Sequence, residues 1–236
     1  VSARDRDFTA DVDAILQCLT DRTRIVMLAN PDNPAGTYLS GAEVRRLHEY
    51  LRPEILLVLD SAYIEYVSAP DYENPLALIK SSTNVVMTRT FSKVFGLAGL
   101  RVGWACGPVD IIDTLKRIGI TFPISAPALA ACEATLQDRD HFERVVGENH
   151  RIREMFSDAL KSLGFEVIPS QTNFVLVRFA DPDQAICNHQ ALEADGIYAR
   201  RLAGGEFARC VRFTLGMEEE MLRCIAVLEQ GCQKDD

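Results

Sequence analysis

Lys93 sits in the run TRTFSKVFGLAGLRVGW, Thr88 to Trp104, among small and apolar neighbours. Desolvation in such a neighbourhood disfavours the ammonium form. The neutral amine is a nucleophile able to form a Schiff base with an aldehyde. Asp60 closes the apolar run ILLVLD. A carboxylate buried there requires a cationic or hydrogen-bonding partner, and a protonated pyridine nitrogen would be one. Tyr63 offers a hydroxyl to the same ring, and Asn33 offers an amide from the preceding loop. Arg101, Ser92 and Thr90 supply one charge and two hydroxyls, a set suited to a phosphate. Each residue alone has an ordinary reading: Lys93 as a solvated surface charge, Asp60 as a cap or salt-bridge partner.

The elements that carry these residues alternate. RIVMLAN, Arg24–Asn30, reads as a strand, and the two prolines and glycine of NPDNPAG end it. Ser40 and Glu43 have capping-box spacing ahead of a helix striped by Val44, Leu47 and Leu51, with Pro53 as its stop. ILLVLD, Ile55–Asp60, is apolar on both faces, as a buried parallel strand is. NVVMTRT, Asn84–Thr90, is the next strand and RVGWACG another. Strands alternating with helices indicate an α/β sheet with right-handed crossovers, whose ligands collect beyond the carboxyl ends of the strands. Asn33, Asp60 and Lys93 all lie just past such ends, which predicts a shared pocket.

After about residue 120 the pattern changes. APALAACEATLQ reads as a helix, and His141–Leu163 as a long one with Gly164 as its C-cap. FEVIPSQTNFVLVRF reads as two short strands. Asp181 and Pro182 open a helix reaching about Asp195, IYAR and CVRFTLG are strands, and Glu218–Glu229 is the last helix. The predicted division is residues 1–120 as part of a large domain, and 121–236 as connecting helices and a smaller C-terminal α+β domain.

The chain has 236 residues, 47% hydrophobic and 25% charged, which suits one or two globular domains. A net charge of -9 argues against a general nucleic-acid or acidic-membrane binder. The seven cysteines (Cys18, Cys106, Cys132, Cys187, Cys210, Cys224 and Cys232) show no C-x-x-C spacing and read as reduced thiols of a cytoplasmic protein. His48, His141, His150 and His189 form no H-E-x-x-H pattern, so no metal site is expected. No stretch has the apolar length of a membrane span, and VSARDRDFTADVDAIL lacks a signal peptide's apolar core.

NPDNPAG, DSAYIEYV and TFSKVFGLAGLRVGW, in this order and spacing, resemble the pyridoxal-phosphate-dependent aminotransferases of fold type I. The resemblance implies a mainly parallel large-domain sheet plus the smaller C-terminal domain, a homodimer, and small amino-acid and oxo substrates. It implies that Lys93 forms the Schiff base with pyridoxal 5'-phosphate and that Asp60 pairs with the pyridine nitrogen. It further implies that Asn33 and Tyr63 bond the ring hydroxyl, and that Thr90, Ser92 and Arg101 hold the phosphate. A further stretch of the family's large domain is expected before Val1, so the sheet should expose an edge.

CVRFTLG resembles the family segment whose arginine grips the substrate α-carboxylate, here Arg212. GIYAR places Arg200 where histidinol-phosphate aminotransferases carry an arginine, and PSQTNFVLVRF also resembles that subfamily. The two arginines suit a phosphate or a carboxylate. Aromatic aminotransferases and a threonine-phosphate decarboxylase share most of these motifs. An aminotransferase-like ligand-sensing domain of a regulator, or an inactive fragment, are readings of another class. The chain departs from the family at Ala35, usually threonine, and at Ser61, usually glutamate.

Overall fold

The computed structural model describes residues 8–232, the side chain of Cys232 excepted. Its chain falls into two compact units. The chain up to Asp32 and Tyr38–Val146 make the first. Asn33–Thr37 and the chain from Gly147 make the second. The last break between them, Val146 to Gly147, falls inside a helix.

The first unit opens with α1 (Val12–Gln17), capped by the Asp11 carboxylate, which accepts from Ala14 N–H. It continues through β1 (Ile25–Ala29), α2 (Gly41–Tyr50), β2 (Leu56–Asp60) and α3 (Leu76–Lys80). Next come β3 (Val85–Thr90), β4 (Gly103–Cys106), α4 (Val109–Ile118) and α5 (Ala126–Gln137), and α6 (Arg139–Ser162) starts in this unit and continues into the second. The sheet order is β1-β2-β3-β4. The first two pairings are parallel, and β3 with β4 is antiparallel. The sheet is thus mainly parallel, as expected, with β4 its antiparallel member. Ile55, Leu57, Leu59 and Val85 are fully buried, and Leu47 of α2 packs on them. β1 is an outer strand whose Ile25 and Met27 are exposed. Ser40 caps α2, accepting from Glu43 N–H at 3.3 Å. The Glu43 carboxylate pairs with Arg46 rather than reaching back, so only half of the expected capping box forms.

α6 ends as the glycine predicts. Gly164 has φ 87°, its N–H bonds Lys161 O at 2.9 Å, and Phe165 N–H bonds Leu160 O at 3.1 Å. Those bonds satisfy the last helical carbonyls. The second unit adds β5 (Glu166–Ile168), β6 (Phe174–Arg178), α7 (Pro182–Ala194), β7 (Arg200–Arg201), β8 (Cys210–Thr214) and α8 (Glu218–Cys232). Its antiparallel sheet runs β5-β6-β8-β7. Phe156, Leu160, Val175, Val177, Leu192 and Val211 fill its core with no exposure. The expected strand IYAR is shorter than its pattern suggests: only Arg200 and Arg201 pair with β8. α1, α3 and α4 are additional to the expected elements.

Candidate active site

In the first unit, the parallel register sets Asp60 beside Thr88 and aligns the carboxyl ends of β2 and β3. Asp60 is exposed there, with Oδ1 accepting from Ala62 N–H at 3.1 Å. The expectation of a buried carboxylate is thus corrected. The apolar run buries Leu57 and Leu59, but its last residue projects beyond the layer that covers them. Ser61, directly after it, is fully buried and donates its N–H to Thr88 O at 2.9 Å.

Tyr63 precedes a 3-10 turn, Ile64–Tyr66, and is only 5% exposed. Lys93 Nζ lies 5.1 Å from the centre of its ring, a cation–π contact. Lys93 itself rides on a tight turn. Its carbonyl accepts from Gly96 N–H at 2.9 Å, and Leu97 N–H returns to Phe91 O at 2.9 Å. Phe91, Val94 and Val102 anchor the turn by burial. Neighbouring side chains make a second small group. Thr90 Oγ1 accepts from Ser92 N–H at 3.0 Å. Arg101, in the left-handed region at φ 57°, donates from Nη1 to Ala98 O at 2.7 Å and to Ser92 Oγ at 3.5 Å. Threonine, serine and arginine are thereby gathered next to the lysine, with Arg101 on the surface.

Asn33 is placed with the second unit, not with the strand that precedes it. Its Oδ1 accepts from Arg212 Nη1 at 2.6 Å. Arg212, on β8, also lies with its guanidinium carbon 4.8 Å from the Phe174 ring centre. Arg200 of β7 stands directly opposite Arg212 in the antiparallel register. Directly opposed residues project to the same face of a sheet, so the two arginines share one side. The second unit therefore brings Asn33, Arg200 and Arg212 together. The first brings Tyr63 to Lys93 and Thr90, Ser92 and Arg101 to one another, with Asp60 at the neighbouring end of β2.

Two further groups escaped the sequence reading. Asn149 Nδ2 and Arg153 Nη1, one helical turn apart on α6, both donate to Thr172 O at 3.2 Å. Arg153 is 5% exposed, and burial lowers its pKa. Gln171, in the same loop, donates its N–H to Gly36 O at 2.8 Å, next to the Asn33 segment. The signal was a polar pair at i, i+4 inside the apolar stripe of Ile152 and Phe156. The other group is the ion pair of Glu65 with Arg89 in the first unit. Among the described residues, no cluster of three or more histidine, cysteine or acidic side chains is placed to hold a metal ion. No described helix is long and apolar enough to cross a membrane.

Residues 2–227 match the family model described as aminotransferase class I and II. A histidinol-phosphate aminotransferase of Cereibacter sphaeroides is 44% identical over 230 residues, covering 98% of this chain and 63% of that protein. One from Dinoroseobacter shibae is 47% identical over 219 residues, covering 93% and 60%. The solved histidinol-phosphate aminotransferase from Sinorhizobium meliloti, in complex with pyridoxal-5'-phosphate, superposes with a TM-score of 0.91 at 29% identity. That match covers 99% of this chain and 64% of the solved one. The chain thus spans less than two thirds of the length of these relatives.

Proposed function

The chain belongs to the class I and II aminotransferase family, and from that membership we propose a pyridoxal-phosphate-dependent transamination. Its substrates are glutamate and imidazole-acetol phosphate, yielding 2-oxoglutarate and histidinol phosphate in histidine biosynthesis. The protein works in the cytoplasm as a homodimer. The single observation that carries the substrate is the cross-strand pairing of Arg200 with Arg212. Like charges directly opposite each other oppose strand pairing. An anion offsets that repulsion, and guanidinium is the planar partner of both phosphate and carboxylate.

The residues of the first unit fit the cofactor. An amine, a phenol, a strand-end carboxylate, and a threonine–serine–arginine group match its aldehyde, hydroxyl, ring nitrogen and phosphate in chemical type. Bound pyridoxal phosphate supplies an electron sink for the charge left when the substrate Cα loses its proton. Lys93 would hold the cofactor, and its Nζ would take the proton from the substrate Cα and return it, serving as base and then acid. Asp60 keeps the ring nitrogen protonated. Tyr63 would hold the ring hydroxyl. Thr90, Ser92 and Arg101 hold the phosphate. Arg212 orients the substrate carboxylate, and Arg200 joins it for the second anionic group.

The test compares Arg200→Ala on phosphorylated and unphosphorylated amino donors. Loss of a charge-assisted contact weakens binding by about 1.5–3 kcal/mol, or roughly 10- to 150-fold in kcat/KM. The larger loss is expected on the phosphate ester. Equal losses, or no turnover of histidinol phosphate by the unaltered protein, would overturn the reading.

A further inference from the structure

The Glu65–Arg89 ion pair has no part in the chemistry described so far. Its side chains are 5% and 15% exposed. Among the described residues, Glu65 Oε2 and Arg89 Nε are buried without a hydrogen-bond partner. A buried ion pair with unmet hydrogen bonds is a poor stabilising device, because desolvation opposes the attraction. Its value must be sought in what it joins.

Glu65 lies two residues beyond Tyr63, in the 3-10 turn. The backbone bonds of that turn are local: Ile64 N–H to Ser61 O at 3.3 Å, Tyr66 N–H to Tyr63 O at 3.0 Å, and Val67 N–H to Ile64 O at 3.3 Å. Arg89 lies on β3, one residue before Thr90 and four before Lys93. Its guanidinium carbon is 5.3 Å from the centre of the Trp104 ring, which stands opposite it on β4. Arg89 is thus held by the sheet on one side and grips the turn on the other. Tyr63 and Lys93, whose contact spans 5.1 Å, are the reactive ends of the two segments so joined.

We propose that the Glu65–Arg89 pair is a positioning element that fixes Tyr63 against Lys93 at the cofactor ring. It rests on the functional reading above. The pair does not touch the reacting atoms. It acts through the phenol, so its effect on cofactor binding must vanish when the phenol hydroxyl is gone.

A double-mutant cycle tests this in the purified protein, with pyridoxal phosphate titrated and followed by absorbance. Glu65→Gln is expected to weaken cofactor binding about tenfold when Tyr63 is present, and less than about twofold in a Tyr63→Phe background. Urea unfolding of the same four proteins reads the structural effect, which should be alike in both backgrounds. Arg89→Lys, which keeps the charge but loses the planar fork, provides a second cycle if Glu65→Gln does not fold. Equal losses of cofactor affinity in both backgrounds, or no loss in either, overturn the proposal. If neither variant retains a cooperative unfolding transition, the pair is a folding element and the positioning role is withdrawn. Failure of the unaltered protein to bind pyridoxal phosphate would overturn the underlying functional reading itself, a result distinct from the others.

Discussion

Gly36→Ala tests how the Asn33 segment is held in place. Gly36 has φ 84°, in the left-handed region, where an L-residue costs about 1–2 kcal/mol. A Cβ added there would stand 2.8 Å from Ser170 Cβ and collide with the Ser170 hydroxyl. Ser170 cannot simply retreat. Its Oγ donates to Phe174 O at 2.6 Å and accepts from Thr172 N–H at 3.1 Å. Each bond is worth about 0.5–1.5 kcal/mol. Gly36 O also accepts from Gln171 N–H at 2.8 Å, so the segment cannot move without loss either. Strain and displaced bonds together imply about 2–4 kcal/mol of lost stability. Urea denaturation should show a lower midpoint at unchanged slope. Repeating the substitution in a Ser170→Gly background removes the obstacle but not the positive φ, and should reduce the loss to about 1–2 kcal/mol. A loss below about 0.5 kcal/mol, or the same loss in both backgrounds, would refute the reasoning. Where the variant folds, the displaced Asn33 should also raise KM for the carboxylate substrate, because its Oδ1 is a partner of Arg212.

Lys93→Ala is expected to abolish transamination while leaving the unfolding transition in place, since the side chain is only partly buried; normal turnover would remove the assigned role. Phe156→Ala empties a fully buried site against Phe213, whose ring centre is 5.5 Å away, and should cost about 3–5 kcal/mol by chemical denaturation. Burial pushes the Tyr72 phenol up to about 12 against an ordinary 10.0, so the folded state favours the neutral form. Its contribution, at most about 2.7 kcal/mol, is complete below pH 10 and is lost as pH rises towards about 12. Tyr72→Phe should flatten that alkaline limb of the stability curve, and an unchanged slope would count against the assignment.

What the sequence made legible was whatever local chemistry decides. Asp181 and Pro182 opened α7, with the Asp181 carboxylate accepting from Gln184 N–H at 2.8 Å, because cap and first-turn proline act within four residues. Gly164 ended α6 for a similarly local reason. IYAR pairs less than its pattern suggests because β-branched and aromatic residues signal strand propensity, whereas pairing depends on a neighbour, and of these four only Arg200 meets β8. α4 carries a stripe of Ile111, Ile112, Leu115 and Ile118 at helical spacing, opposite Asp110, Asp113, Thr114 and Arg117, so this helix was legible in the sequence even though the structure buries none of its residues fully. The residues quoted as candidates fell into local groups on turns: Thr90, Ser92 and Lys93 are nearly contiguous, and Arg101 returns to them through a short turn.

The polar contacts between distant segments were not legible, and register explains why. Arg212 meets Asn33 across 179 positions, and Glu65 meets Arg89 across 24. Neither separation has a period that a sequence pattern can display. Each contact follows from a sheet alignment that the apolar residues determine. Leu59 pairs with Met87, which puts Asp60 beside Thr88 and brings Arg89 into the layer next to the turn after β2. Likewise, Val175 pairs with Phe213, which sets Arg212 opposite Leu176 on one side and Arg200 on the other. A one-residue slip of β8 would turn Arg212 into the core and bring the apolar Val211 or Phe213 out to its face. The same core contacts that stabilise each sheet therefore select which charges meet. Substitutions such as Val175→Thr or Phe213→Tyr should consequently disturb anion affinity at Arg212 as well as stability, through a register that no residue of the site itself specifies.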